Sequence, residues 1–167
     1  SFGLPVVLLR PFNTFGPRQS ERAIIPTIIR QALDPACTAI MVGDTTPIRD
    51  LTFVEDTVAA FMAAGSADGI DYGHPYNVGS QRAVTVADLI ELICDLSACD
   101  KPVQHDETRM RPINSEVNAL LAAASRFAHE TGWRARTSLN DGLERTIAWW
   151  HGRVSAGKVR RQKTFIT

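Results

Sequence analysis

The chain has 167 residues, of which 44% are hydrophobic and 22% charged, a composition typical of a soluble globular protein of about one domain. The 18 Lys and Arg residues balance the 18 Asp and Glu residues, so the formal net charge is zero. This balance argues against nucleic acid or a membrane surface as a partner, since both attract basic chains. No apolar stretch approaches the roughly 20 residues that a membrane-spanning helix needs.

The cysteine content points to a reducing compartment. Cys37, Cys94 and Cys99 are an odd number without a close pair, so neither a disulfide framework nor a zinc site is predicted, and a cytoplasmic location is expected. Cys94 lies at the edge of an apolar helix face and is interpreted as a core residue rather than a nucleophile. No second histidine stands at ligand spacing from His105, so no metal site is predicted.

The opening residues contain the most informative run of the sequence. Residues 4–9 are apolar and predict a strand buried on both faces of a parallel sheet. Residues 10–18 follow directly and turn at Gly16, which leaves two interpretations open: an ordinary exit from a strand, or a ligand-binding edge. Open α/β sheets bind ligands at the carboxyl ends of their strands, where Asn13 would supply donors and acceptors. Because this pattern starts almost at Ser1, we expect the chain to begin inside a larger fold.

Alternating elements are predicted through the first half of the chain. A short helix is expected over residues 27–33, opened by Pro26, and is followed by extended segments at residues 39–42 and 48–54. Asp56 is interpreted as an acidic residue at the start of the next helix, where the helix dipole favours negative charge. Val58, Phe61 and Met62 fall at helical spacing through Ala64, which predicts the helix itself.

Capping patterns mark the helices of the second half. Thr85 with Asp88, and Ser138 with Asp141, have the spacing of a helix cap and its third-position partner. A short extended segment is expected at residues 76–79, another at 102–103, and a polar loop at 105–108. A small helix near residues 125–131 should end at Gly132. The buried stripes of the two longer helices are expected to be Val86, Leu89, Ile90, Ile93 and Leu96 in one, and Leu139, Leu143, Ile147 and Trp150 in the other.

Polar clusters at predicted strand ends and loops are candidates for binding. A guanidinium presents a planar fork to phosphate oxygens, so arginines from separate loops would form a diphosphate clamp if they converged. Taken singly, each is more often an ordinary surface charge. The sequence contains no Gly-rich phosphate loop, and neither tyrosine is followed by a lysine three or four residues later. The clusters are Asn13 with Arg18, Arg49 with Asp50, Asn77, and Arg109 with Arg111.

Taken in order, these motifs resemble a known family. They are residues 4–18 with Arg10-Pro11-Phe12-Asn13, Ile25-Pro26, Gly43-Asp44, residues 49–56, Tyr76-Asn77-Val78-Gly79, Arg111-Pro112 and Gly132-Trp133. The sequence from about Leu4 to Trp150 is similar to the carboxyl-terminal half of the extended short-chain dehydrogenase/reductases that act on nucleotide sugars. Arg111-Pro112-x-x-Ser115-Glu116-Val117 most resembles the NAD-dependent 4,6-dehydratases of that family.

The resemblance implies an α/β fold, with the last strands of a Rossmann-type parallel sheet joined to a small α/β substrate-binding domain. Residues 1–18 would end the Rossmann-type sheet and form a substrate loop, and residues 19–153 would form the substrate-binding portion. Residues 154–167 would be a basic tail, which is more often a solvated terminus than a binding element. Where the family usually has an Asp-Asn or Asp-Pro pair that opens the helix before Gly-Trp, this chain has Ala122-Ala123-Ala124-Ser125, so the helix cap falls to Ser125 or is lost.

The resemblance also implies roles for individual residues. Pro11 and Phe12 would lie near the nicotinamide of NAD, and Asn13 would donate to the sugar or diphosphate. Ile25 and Pro26 would border the nucleotide, and Asn77 would approach the nucleoside. Arg49 and Arg111 would bind the diphosphate.

The family mechanism needs groups that this sequence lacks. An active-site tyrosine, assisted by a lysine, removes the proton of the sugar 4-hydroxyl while hydride passes to NAD. The resemblance places this pair and the Gly-rich cofactor loop before Ser1, so no catalytic residue is expected here and the chain alone is predicted to be inactive. The complete enzyme is expected to be a homodimer. The alternative is a non-catalytic nucleotide-sugar binding module or a decayed gene product.

Overall fold

The computed structural model describes residues 3–109 and 117–159, which form nine short strands and five α-helices. The strands are β1 (Leu8–Pro11), β2 (Thr14–Phe15), β3 (Ile40–Val42), β4 (Ile48–Asp50), β5 (Thr52–Phe53), β6 (Pro75–Val78), β7 (Ala83–Thr85), β8 (Val103–His105) and β9 (Ala119–Leu120). The helices are α1 (Ile24–Leu33), α2 (Val54–Ser66), α3 (Val86–Leu96), α4 (Ser125–Thr131) and α5 (Leu139–Ser155), and Glu107–Arg109 form a 3₁₀ turn.

Most strand pairs are parallel and are connected through helices. β1 pairs with β6, β2 with β5, and β3 with β8, each in parallel. β4 lies between β9, which is parallel to it, and β7, which is antiparallel. Parallel pairs need crossover connections, and helices supply most of them here. The predicted α/β class is therefore confirmed.

The predicted helix ends are largely confirmed, because capping depends on neighbours in sequence. The Thr85 hydroxyl accepts from the Asp88 amide at 3.0 Å and the Asp88 carboxylate accepts from the Thr85 amide at 3.4 Å, which completes a capping box. The Ser138 hydroxyl accepts from the Asp141 amide at 3.1 Å. Gly132 has φ of 71°, the left-handed conformation that ends α4.

The larger core lies between α1, α3 and α5. It confirms the two predicted helical stripes, because the side chains expected to be buried in α3 and α5 are buried or half-buried there. Lys101 links this core to the end of α1 by donating to the carbonyls of Gln31, Ala32 and Asp34 at 2.7 to 3.0 Å. A cation at the carbonyl end of a helix also complements the helix dipole.

The smaller core packs α2 and α4 against β6. Its central side chains include Tyr76, Phe127 and Trp133, whose rings are tilted against one another with centroids 5.6 to 5.7 Å apart. Offset and tilted ring pairs add to the stabilisation that comes from burial alone. This second core holds β6 in place, and β6 carries Asn77.

The large apolar residues whose spacing predicts α2 do not form its buried face. Val58, Phe61 and Met62 are 56%, 54% and 70% exposed, whereas Ala60 and Ala64 are buried. The helix turns its small residues towards β6, which allows close approach, and leaves the large apolar stripe facing outwards.

The opening strand is shorter and more exposed than predicted. It begins at Leu8 rather than Leu4, and Leu4, Val6 and Leu8 are 70%, 46% and 46% exposed. Within the described part of the chain β1 belongs to a two-stranded sheet with β6, and the expected burial of its apolar side chains on both faces is not found. A second difference lies at His105, which was expected in a loop but ends β8.

Candidate functional site

The carboxyl ends of β1 and β6 lie side by side and place two candidate segments together. Arg10 is opposite Asn77 and Pro11 is opposite Val78, and the Phe12 amide donates to the Val78 carbonyl at 2.8 Å. The segments after both strands therefore start from the same edge, as ligand sites of open α/β sheets require.

Asn13 joins this edge to β4. Its side-chain amide donates to the Asp50 carbonyl at 3.3 Å, and its own carbonyl accepts from the Thr52 amide at 3.0 Å. The residue is exposed, and the side-chain oxygen has no hydrogen bond to the described residues. Asn13 thus has a fixed position and a side-chain acceptor that no described residue uses.

Asp50 is the buried centre of the arrangement. Its carboxylate is fully buried and accepts hydrogen bonds from the Ser80 amide at 2.8 Å and the Ser80 hydroxyl at 2.7 Å. The amides of Gln81 and Ala122 each donate to the other oxygen at 3.0 Å. A buried carboxylate is tolerated when it is fully hydrogen-bonded, so Asp50 ties β4 to the segments after β6 and β9.

Gly79 is required beside this carboxylate. A Cβ at this position would lie 2.3 Å from the Ala122 Cβ and 2.8 Å from an Asp50 carboxylate oxygen. Only a residue without a side chain lets the three segments approach so closely. Asp50 was predicted only as a polar partner of Arg49 at a strand end, and neither its burial nor the need for the glycine was predicted.

Arg49 is half-buried and bound at the edge of β4. Its guanidinium donates to the Val117 carbonyl at 2.7 Å and to the Ile48 carbonyl at 2.9 Å. It also helps to lower the pKa of Asp44, although the amide and hydroxyl of Thr46 are the main causes of that shift. The arginine is therefore held in place by backbone carbonyls beside an acidic turn.

The second predicted arginine, Arg111, lies outside the described residues. The preceding Arg109 forms an ion pair with Asp106 at 2.8 Å, and its carbonyl lies 2.7 Å from where a Cβ of Gly43 would be. The pKa of Asp106 is lowered, first by the Thr108 hydroxyl and then by Arg109. The described ends of this segment thus meet the ends of β3 and β4.

Ile25 and Pro26 begin α1, and their side chains are buried. Ile25 is 1% exposed and belongs to the larger core together with Phe15 and Phe53. The predicted contact of these residues with a nucleotide stays a prediction.

Asp56 does more than the helix-end role predicted for it. Its carboxylate is buried and accepts from the amides of Arg136 and Thr137 at 3.1 and 2.9 Å, and its carbonyl accepts from the Trp133 indole at 3.0 Å. The start of α2 is thereby tied to the segment between α4 and α5. These donors lie about 80 positions later in the chain, and no local pattern announces them.

The predicted contact of Pro11 and Phe12 with a nicotinamide stays a prediction, and neither residue has a backbone N–H left to donate to a ligand. Proline has no amide hydrogen, and the Phe12 amide is already used by Val78. Their chemistry fits contact with a flat ring such as a nicotinamide and does not fit binding of a pyrophosphate.

No cluster of three or more metal-binding side chains, and no helix able to cross a membrane, occurs among residues 3–109 and 117–159.

Comparisons with known proteins agree on one family. A family model described as GDP-mannose 4,6 dehydratase matches residues 1–146. The trifunctional UDP-glucose 4,6-dehydratase/UDP-4-keto-6-deoxy-D-glucose 3,5-epimerase/UDP-4-keto-L-rhamnose-reductase RHM2 of Arabidopsis thaliana is 33% identical over 161 residues, which are 93% of this chain and 23% of the plant protein.

Two solved structures are similar across most of the chain. RMD from Pseudomonas aeruginosa, complexed with NADPH, has a TM-score of 0.80 at 27% identity, covering 90% of this chain and 50% of its own. UDP-glucuronic acid 4-epimerase from Bacillus cereus, in complex with UDP-glucuronic acid and NAD, has a TM-score of 0.79 at 25% identity, covering 89% and 46%. The chain therefore spans about half the length of these two proteins and about a quarter of the plant relative.

Proposed function

Because this chain belongs to the GDP-mannose 4,6 dehydratase family, we propose that it is the substrate-binding portion of an NAD-dependent nucleotide-sugar 4,6-dehydratase or epimerase. The chain spans only part of the length of its relatives, and the catalytic activity is proposed for the complete enzyme. The role proposed for this portion is to hold and orient the nucleotide sugar. The complete enzyme is proposed to be a cytoplasmic homodimer.

The arrangement around Asp50 is the observation that best supports this role. Its four hydrogen bonds fix the strand end that carries Arg49 and the segment that follows Asn77. Asn13 is attached to the same residue through the Asp50 carbonyl. The three polar side chains are thus presented from one rigid framework, which is what orientation of a substrate requires.

The chemistry of these side chains suits a nucleotide sugar. A diphosphate carries negative charge on several oxygens, which the planar guanidinium of Arg49 can bind through two parallel hydrogen bonds. The amides of Asn13 and Asn77 can both donate to and accept from sugar hydroxyls. Arg111 is proposed as the second diphosphate ligand, and Ile25 and Pro26 as the border of the nucleotide.

NAD is the proposed cofactor of the complete enzyme, and it supplies reversible hydride transfer when bound. Pro11 and Phe12 would form one side of its nicotinamide pocket. The Gly-rich loop that binds the pyrophosphate is absent from this sequence, as is a Tyr-x-x-x-Lys pair. We therefore expect no conversion of a nucleotide sugar by the 167-residue chain with NAD, measured by mass spectrometry of the sugar product.

Isothermal titration of the chain with UDP-glucose, GDP-mannose and dTDP-glucose tests the binding role. We expect one of the three to bind, and the Arg49→Lys variant to bind it about tenfold more weakly because the bidentate geometry is lost. Arg134→Lys is the matched control, since Arg134 is exposed in the segment between α4 and α5. Equal binding by wild type and Arg49→Lys, with both variants folded, would remove Arg49 from the site.

The reading frame upstream of Ser1 separates the enzyme from the alternative. A Gly-rich loop and a Tyr-x-x-x-Lys pair in that frame would support a complete enzyme. A start codon at this boundary would support a non-catalytic binding module or a decayed gene product.

A further inference from the structure

Two cysteines meet where helix α3 ends. The Cys99 amide donates to the Cys94 carbonyl at 2.9 Å and the Ala98 amide donates to the Asp95 carbonyl at 3.2 Å. Ala98 has φ of 50°, so this pair of hydrogen bonds is a Schellman motif with a left-handed residue after the cap. The motif brings the third-last helical residue against the second residue after the cap, and here both are cysteines. Spacing along the chain does not reveal this pair, because the chain reverses its direction at the helix end.

The two side chains are reachable from solvent. Both are half-buried and line the same surface cavity of about 480 Å³, together with Ile90, Lys101 and Val103. Cys37 lies elsewhere, in the turn after α1, and does not line this cavity. The chain therefore contains two adjacent thiols and one separate thiol that serves as an internal reference.

Burial raises the pKa of Cys94 to about 11, and the neighbouring Cys99 thiol adds to this effect. No third metal-binding side chain joins them within the described ranges, so the pair lacks the ligand set of a structural zinc site.

We propose that Cys94 and Cys99 form a redox-active dithiol that a hydroperoxide oxidises to an intramolecular disulfide. In the first step the Cys99 thiolate attacks a peroxide oxygen, which forms a sulfenic acid and releases water or an alcohol. Cys94, whose raised pKa keeps it protonated, supplies the second thiol. In the second step the other thiol displaces the hydroxyl group, so a sulfur–sulfur bond forms and a water molecule leaves. The two sulfurs together lose two electrons, which the peroxide accepts.

The Schellman motif lets the disulfide form with little movement of the chain. A disulfide needs Cα atoms about 4.4 to 6.8 Å apart, and the hydrogen bond from Cys99 to Cys94 holds the two backbones in close approach. The bond would close a small loop at the end of α3, which packs on α1 and α5. Its immediate effect would be to fix that helix end.

Treatment of the reduced chain with hydrogen peroxide, followed by denaturation and alkylation, tests the proposal. Trypsin cleavage after Arg82 and Arg109 yields one peptide that contains both cysteines, because Lys101 precedes a proline. We expect this peptide to lose two hydrogen atoms and to escape alkylation, while the peptide containing Cys37 remains alkylated. Sulfinic acid on single cysteines, or disulfides between chains, would overturn the proposal.

Variants that lack one cysteine provide a second test of the disulfide. Cys94→Ser and Cys99→Ser must each abolish the intramolecular disulfide, whereas Cys37→Ser must leave it unchanged. Circular dichroism shows whether each variant is folded, and Cys→Ala replaces any serine variant that is not. A disulfide that persists in either single variant would contradict the assignment.

Discussion

At the scale of single residues, Asp50 shows how a buried charge organises a site without touching a ligand. Two segments that lie 30 and 72 positions later in the chain donate four hydrogen bonds to one carboxylate. Each of these donors needs a side-chain oxygen of residue 50 as its acceptor. This requirement explains why the amide of asparagine, although equal in shape, cannot replace the carboxylate.

We expect Asp50→Asn to lower the free energy of unfolding by about 2 to 4 kcal/mol. In either orientation the new NH₂ group faces two backbone or hydroxyl donors and leaves them unpaired. Urea unfolding followed by circular dichroism measures the loss. Asp68→Asn, at an exposed carboxylate after α2, is the control and should change stability by less than about 0.5 kcal/mol.

Gly79 allows a second test at the residue scale, because the same substitution can be made at Gly65 as a matched control. Gly79→Ala would force a methyl group against Ala122 and Asp50, and we expect a cost of about 1 to 3 kcal/mol from overpacking. Gly65→Ala introduces the same methyl group in α2, where nothing lies within 4 Å, and should stabilise the chain by about 0.5 to 1 kcal/mol. Thermal unfolding of both variants must give shifts of opposite sign.

The thiol of Cys94 predicts a loss of stability at alkaline pH. Its pKa is raised from the usual value near 9 to about 11, first by burial and then by Cys99. Between these values the unfolded chain releases the proton and the folded chain retains it, so stability falls as pH rises. Cys94→Ser and Cys94→Ala, which lack this proton, should both show a shallower fall between pH 9 and 11 in urea unfolding. A slope equal to that of the wild type would refute the assignment.

At the scale of elements, the sequence predicts those helix ends and helix faces that depend on residues close together in the chain. The capping box of α3, the serine cap of α5 and the glycine stop of α4 all depend on residues within one helical turn, and all three are found. The apolar stripes of α3 and α5 follow from helical periodicity in the same way.

What the sequence could not predict depends on distant partners. The two-residue strands β2, β5 and β9 are too short to give an alternating pattern, and their pairing defines them. The burial of Asp50 and Asp56 depends on amides 30 to 81 positions later in the chain. The face that α2 buries depends on which side β6 occupies, because both faces of this helix are apolar.

Helix α4 shows what a missing cap means for an element. The residue before it is Ala124, which is 1% exposed and makes no side-chain cap, so the cap is lost and does not pass to Ser125. The helix is retained because Phe127 is buried in the smaller core. Tertiary packing thus replaces a local signal.

Helix α5 has a serine cap and α4 has no side-chain cap, so the two helices should respond differently to the removal of a serine hydroxyl. Ser138→Ala removes the hydroxyl that accepts from the Asp141 amide and should cost about 1 kcal/mol of unfolding free energy. Ser125→Ala removes an exposed hydroxyl that caps nothing and should cost less than about 0.5 kcal/mol. Urea unfolding of the two variants in parallel provides the comparison. An equal loss in both would show that Ser125 also stabilises its helix.

At the scale of the whole molecule, the chain combines two packed cores with two apolar surfaces. The large core around α1, α3 and α5 contains most of the fully buried side chains. In contrast, the start of β1 and the outer face of α2 expose leucine, valine, phenylalanine and methionine side chains. Apolar residues grouped on a surface promote association because burying them removes their area from water.

The exposed stripe of α2 therefore predicts that the isolated chain self-associates and that polar substitutions there relieve it. Phe61→Gln combined with Met62→Gln should lower the average molecular mass measured by sedimentation equilibrium. Its free energy of unfolding in urea should stay within about 0.5 kcal/mol of the wild type, since neither side chain is buried. Ala60→Gln, one residue away on the buried face, is the contrasting control and should unfold the smaller core, because its side chain has no space against β6. If the double variant were as destabilised as the control, the outer face of α2 would be part of the packed core and the orientation of the helix described above would be wrong.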